Sequence, residues 1–253
     1  MSQLQKTISR LQRREGPGIG FARVHRDQPK AMALVATVGS ADEATKALGA
    51  GADAVLFQAG SASIAASAMK DITGDRVAAG VALPVLSVKD AEALAEAGCD
   101  FVVSPLETTD SAAVDTERMG HLVNVSENME DNTLRSLGPL GLDALFVQRP
   151  AGSMKLGEQL GLVRLASFSG TGLMVTVPNG IDVADLRVLR DSGVVAVVAA
   201  AGASPDDLKG IAERLQAVPP PRKGKREGND IAIVPSSRGG GEHEHDDDGG
   251  DDE

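Results

Sequence analysis

A strand–helix alternation recurs eight times between Ala31 and Leu215, and no other feature of the chain constrains its fold as strongly. Apolar runs predict strands over 32–38, 54–58, 77–83, 101–104, 122–126, 144–148, 173–177 and 194–199. Helical segments are predicted after them, over 41–50, 61–72, 87–97, 109–119, 128–138, 154–166, 182–192 and 204–215. Strands that alternate with helices form βαβ units, and therefore a parallel sheet. Runs such as ALVATV, DAVLF and VVAVVAA are apolar on both faces, as strands covered on both sides must be. The stretch 76–105 shows one unit in full. Ser87 is the N-cap, with Asp90 three residues on. Ala91, Leu94 and Ala95 form the apolar helix face, and Gly98 the stop. Phe101-Val-Val then runs into Ser104-Pro105. Eight such units predict an α/β fold closed into a single (β/α)8 TIM barrel.

An internal repeat supports the count. Helix, Gly-x-Asp and strand recur as GADAVLF, GCDFVV and GLDALFV, and GVVAVV is a fourth copy without the aspartate. The four glycines, Gly51, Gly98, Gly141 and Gly193, are spaced by 47, 43 and 52 residues, two βα units per step. The recurring glycine is the residue after the helix end, where the chain turns left-handed. Asp53, Asp100 and Asp143 each open a strand. That places them at the N-terminal face of a barrel, where polar residues serve stability rather than chemistry.

Composition excludes several function classes. A net charge of −11 argues against non-specific nucleic-acid binding. The chain has no Trp or Tyr and five Phe, so stacking surfaces for bases or sugars are scarce. Its one cysteine, Cys99, cannot form an internal disulfide and reads as a small buried residue. No apolar run approaches the ~20 residues of a membrane span. No apolar signal-peptide core is visible either, so a cytoplasmic protein is expected.

The predicted organisation is an N-terminal helix and linker over 1–30, the barrel over 31–217, and a linker and acidic tail over 218–253. Leu4, Ile8 and Leu11 give a helix over 1–16 one apolar stripe among basic residues, expected to dock on the barrel rather than on a membrane. The glycine-rich run 16–20 ends it and follows no strand, so it carries no phosphate role. Beyond 217 come a basic run at 222–226, one short apolar run at 231–234 and a low-complexity acidic end. That end is expected to be disordered, with His243 and His245 as loose metal chelators at most.

In a barrel the site lies at the C-terminal ends of the strands. The polar residues there are Thr37, Ser40, Gln58, Ser87, Lys89, Ser104, Glu107, Asn124, Ser126, Glu127, Gln148, Arg149, Thr176, Asn179 and Ser204. No His, Asp and Glu set has metal spacing, and no cofactor is indicated. No lysine lies inside a strand, where burial would activate it for a Schiff base. Glu127 is the best general acid/base candidate, with Arg149 or Lys89 as anion partners, although it also suits the start of a helix. The loops after strands 7 and 8 carry Asn179-Gly180 and Gly202, small enough for backbone amides to approach a phosphate. Against this, Ser204-Pro205-Asp206-Asp207 puts two carboxylates on the following helix turn. The candidate ligand-binding residues are therefore Gln58, Ser104, Asn124, Gln148, Arg149, Asn179, Gly180 and Gly202.

The run VAAGVALPVLSVKDAEALAEAGCDFVVSP resembles the third and fourth strands of keto-deoxy-phosphogluconate aldolases, which belong to the phosphate-binding barrels. Asn179-Gly180-Ile181 looks like the Gly-Gly-Ile of that family's strand-7 phosphate loop. The resemblance implies the barrel fold and an anion site. The family's Schiff-base lysine would fall near Val147 and its strand-2 glutamate near Phe57, so the resemblance argues against that chemistry here. The expectation is a non-catalytic or diverged barrel acting as a scaffold or interaction protein, with self-association. The alternative is a lyase- or isomerase-type enzyme, or a binder, for a small anionic phosphorylated metabolite.

Overall fold

The computed structural model describes residues 1–12, 30–70, 72 and 77–219. The strands are β1 (Ala33–Val38), β2 (Ala54–Gln58), β3 (Ala78–Ala82), β4 (Phe101–Pro105), β5 (Gly120–Asn124), β6 (Ala144–Val147), β7 (Leu173–Val177) and β8 (Val194–Ala199). All pair in parallel in chain order, and β1 pairs with β8 to close the barrel. The helices are α1 (Gln3–Gln12), α2 (Ala41–Gly49), α3 (Ala62–Lys70), α4 (Val88–Glu96), α5 (Asp131–Leu137), α6 (Leu156–Ser169), α7 (Val183–Asp191) and α8 (Pro205–Ala217). The repeat glycines behave as expected: Gly51, Gly98, Gly141 and Gly193 have φ of 100°, 84°, 67° and 92°.

One predicted helix is absent. Over 109–119 the chain makes a single short 3-10 turn, Ser111–Ala113, after another at Leu106–Thr108. Side chains around it hydrogen-bond the backbone in turns instead. Asp115 Oδ1 accepts from the amides of Glu117 (3.1 Å) and Arg118 (3.4 Å). The Thr108 hydroxyl donates to the Pro84 carbonyl at 2.7 Å, and the Thr109 hydroxyl to the Pro105 carbonyl at 2.6 Å. β5 starts at Gly120, two residues before its predicted start.

The core has two layers. One lies between the strands and helices α2–α8. The other fills the barrel with residues that include Val35, Leu56, Phe101, Leu122, Phe146, Met174 and Val198. Phe101, fully buried, takes the space that Gly80 leaves: a Cβ at Gly80 would stand 2.3 Å from its ring.

Helix α1 completes this inner layer, with Leu4, Ile8 and Leu11 buried against the barrel interior. The strand-opening aspartates hold it there. Asp100 accepts from the amides of Gln3 (2.6 Å) and Leu4 (2.9 Å). The Ser2 hydroxyl donates to Asp143 and accepts from the Gln5 amide at 3.0 Å. Asp53 instead ties β1, accepting from the Leu34 amide at 2.8 Å and from Lys30 Nζ at 2.6 Å. The three repeat carboxylates are thus structural, as their place at the N-terminal face requires. Cys99 is buried, and burial pushes its thiol up to about 12, the state of an inert core residue.

Among the described residues no helix is long and apolar enough to cross a membrane. The glycine-rich run 16–20, the basic run 222–226, the apolar run 231–234 and the acidic end with His243 and His245 lie outside the described residues.

Candidate functional site

Side-chain alternation along each strand decides which residues reach the barrel mouth. Val35, Leu56, Val103, Leu122, Phe146 and Met174 face inward, so the next inward positions are Thr37, Gln58, Pro105, Asn124, Gln148 and Thr176. Strand register sets Gln58 beside Ala82 and Asn124 beside Pro105. Gln58 and Gln148 are exposed there, and Asn124 is partly buried. Two hydroxyls are already engaged. Thr37 Oγ1 donates to the Ala199 carbonyl at 3.0 Å, while Thr176 Oγ1 accepts from the Arg149 amide at 2.8 Å.

Ser104 and Arg149 fall on the other face of their strands, towards the helices. Ser104 is buried, with its hydroxyl hydrogen-bonded to that of Thr109 at 2.7 Å. The Arg149 side chain, 1% exposed, reaches Glu158 (Nε to Oε2, 3.2 Å) and the Gly152 carbonyl (Nη2, 2.9 Å). It fastens the loop between β6 and α6 to the first turn of α6. Its buried Nη1 has no partner among the described residues.

Glu127 lies in the turn after β5, exposed, with its carboxylate over Gly161 of α6. A Cβ on that glycine would stand 3.5 Å from Glu127 Cδ. Its carbonyl accepts from Arg164 Nη1 at 3.0 Å. Gln58, Asn124 and Gln148 thus take inward positions at the ends of β2, β5 and β6, while Ser104 and Arg149 take outward ones and Glu127 lies against α6.

The loop after β7, one of the two singled out for phosphate, is held by α8. Arg214 donates to the carbonyls of Asn179 (3.0 Å) and Ile181. Asn179 Oδ1 is buried without a partner among the described residues. Gly180 and Gly202 both stand open, since a Cβ at either would meet nothing within 4 Å, although Gly202, at φ 76°, is needed for its turn.

The helix starts around the mouth are already supplied with negative charge. Asp207 accepts from the Ser204 amide (3.0 Å) and hydroxyl (2.7 Å), and these bonds hold its carboxyl below the usual range. Glu43 takes the Gly39 amide at 2.7 Å, Asp182 the Asp185 amide at 2.7 Å, and Asp90 the Ser87 hydroxyl at 2.7 Å. Each satisfies donors that an incoming anion would otherwise use.

The geometry was partly legible in the sequence. Counting outward from Leu56 or Leu122 in steps of two finds Gln58 and Asn124. The same count would have turned Ser104 and Arg149 away from the mouth.

No protein-family model and no curated protein sequence matches the chain. Solved structures do. A tryptophan synthase from M. tuberculosis is similar over 86% of this chain and 98% of that one, at 13% identity and a TM-score of 0.61. Phosphoribosyl anthranilate isomerase from Thermus thermophilus covers 74% of this chain and matches over its whole length, at 15% identity and a TM-score of 0.55. A 4-hydroxy-2-oxoglutarate/2-dehydro-3-deoxyphosphogluconate aldolase covers 73% of this chain and 93% of its own, at 21% identity and a TM-score of 0.54. This is a (β/α)8 barrel. At these identities the likeness concerns the fold alone. The family resemblance read from the third and fourth strands is thereby confirmed as a resemblance of barrels. Val147 and Phe57, where the aldolase lysine and glutamate would fall, are buried apolar residues of this barrel.

Proposed function

We propose that this barrel serves as a non-catalytic scaffold or interaction protein. One observation carries the reading: among the described residues, the strand positions facing the mouth are apolar or neutral. Gln58, Asn124 and Gln148 can orient a ligand through hydrogen bonds, but a primary amide does not exchange a proton at neutral pH. Glu127, the acid/base candidate, rests on α6. The test is turnover of a panel of 2-oxo acids and sugar phosphates, followed by NMR. None is expected, and any turnover abolished by Glu127→Gln or Glu107→Gln overturns the proposal.

A second reading, a binder for a small anionic metabolite, draws on one specific feature. Arg149 is a buried guanidinium with a donor unpaired within the described residues, and its amide bonds Thr176 at the mouth. In this reading Gln58, Asn124, Gln148, Asn179, Gly180 and Gly202 surround the ligand. Native-state binding raises the melting temperature by mass action. A shift with phosphate or a sugar phosphate that is lost in Gln148→Ala supports the binder; no shift with either leaves the scaffold.

A further inference from the structure

Helix α6 carries more apolar surface than the barrel covers. Leu162, Leu165 and Ser169 are buried beneath it. A second side meets α5 and the turn before it: Glu127 lies over Gly161, Arg164 pairs with Asp131, and Arg135 stands over the Phe168 ring. Leu156, Leu160 and Val163 are left on the outer side, exposed, at i, i+4 and i+7.

The exposed positions of this helix are uncharged: Leu156, Gly157, Leu160, Val163 and Ser167. Both of its charged side chains are engaged within the chain, Glu158 with Arg149 and Arg164 with Asp131. The outer sides of other helices differ. α2 exposes Asp42, Glu43 and Lys46, and α8 exposes Asp206, Lys209 and Glu213. A helix that is apolar on its outer side as well as its inner one suits a place between two surfaces, and the barrel supplies one.

The surroundings of the stripe point to what covers it. Glu127 and the exposed Glu130 flank it on the α5 side. On the other side α7, the next helix round the barrel, opens with Asp182 and Asp185. Lys155, the N-cap of α6, is a single cation against these four carboxylates. A second copy, with its net charge of −11, would bring the same carboxylates to the contact. The stripe is also short. It spans about 10 Å of helix at ~1.5 Å per residue, whereas a stable pair of proteins covers about 800 Å² on each partner. Two turns match the anchors of one docked helix.

We propose that the outer face of α6 docks an amphipathic helix of a partner protein, with apolar anchors at i, i+4 and i+7 and lysine or arginine on both flanks. The anchors pack on Leu156, Leu160 and Val163. The flanking cations meet Glu127 and Glu130 on one side, Asp182 and Asp185 on the other. The proposal rests on the interaction reading given above, and supplies that reading with a surface and a partner chemistry.

The full chain, methyl-labelled at leucine and valine, tests it by NMR against a Leu/Lys peptide of about 18 residues, long enough to form the helix. The peptide is expected to move the methyl signals of Leu156, Leu160 and Val163 saturably. A peptide of the same composition with its leucines scattered should bind at least tenfold more weakly, and so should a Leu/Glu peptide with the leucines in register. Leu160→Asn should weaken the Leu/Lys peptide at least tenfold with the melting temperature unchanged. Glu127→Gln with Glu130→Gln should weaken it about threefold and reduce the salt dependence of binding. No saturable shift at these methyls, or equal binding of either control peptide, overturns the proposal. A dimer of the parent chain that Leu160→Asn dissociates also overturns it, because a second copy then covers the face. Turnover at the mouth is measured apart from all of these and bears on the scaffold reading alone.

Discussion

At the residue scale, Gly80 and Phe101 behave as one unit. The ring occupies the volume in which a Cβ on residue 80 would lie. Gly80→Ala should cost about 1–3 kcal/mol by overpacking, and Phe101→Ala about 3–5 kcal/mol by leaving a cavity. In urea unfolding the double variant should lose less than the two single losses together, because the truncated side chain makes room for the new methyl. His121 makes a different demand. Its folded value is depressed to about 4 from 6.5 by burial. The unfolded chain therefore takes up the proton first as pH falls. The stability owed to the neutral imidazole is complete above about pH 6.5 and is lost as pH falls towards 4. His121→Gln should flatten that part of the melting-temperature profile relative to the parent chain. Residues of this kind are the least legible in a sequence. A glycine inside a strand signals close approach of something, but not that Phe101 approaches. A histidine that opens a strand does not declare which face it takes.

At the element scale, α1 shows how far a local reading reaches. Its stripe of Leu4, Ile8 and Leu11 was visible as an i, i+4, i+7 pattern, and docking followed from it. Its seat was not visible, because Asp100 is 97 residues from the amide of Gln3 that it holds. Asp100→Ala removes two amide partners at the helix start and should cost about 1–2 kcal/mol, as loss of an N-cap does. Hydrogen exchange should show the loss concentrated in α1, with the strands still protected. Burial raises the carboxyls of both Asp100 and Asp143, so the fold holds their protons more tightly than the unfolded chain does. Their titration therefore removes stability as pH rises above 3.8 through the raised range, and a variant lacking Asp143 should show less of that decline. The failed helix over 109–119 has the opposite lesson. Around it Thr108 and Asp115 bond the backbone through their side chains, Thr108 to the Pro84 carbonyl and Asp115 from the Glu117 amide, and these bonds hold turns. Such residues compete for backbone hydrogen bonds and favour turns over helix.

For the whole molecule, closure was readable because eight apolar runs and four spaced glycines all required the same parallel sheet. The mouth was readable only in part, since closure itself decides which residues converge there. One outer surface remains for the interaction reading. Leu156, Leu160 and Val163 of α6 are 71%, 61% and 37% exposed and fall at i, i+4 and i+7. If copies of the barrel associate through this stripe, sedimentation should show an oligomer that Leu160→Glu reduces to monomer with an unchanged melting temperature. A monomer in the parent chain removes self-association from the proposal.

The α1 plug also sets an order of events during synthesis. The helix precedes every strand, yet the inner layer it joins includes Val198 on the last of them. On the ribosome α1 therefore emerges with its apolar stripe uncovered, while Asp100 and Asp143 are still to come. It must remain unseated until most of the barrel has been made. A nascent chain halted before residue 143 should thus present a sticky amphipathic segment to chaperones, and one released after β8 should not.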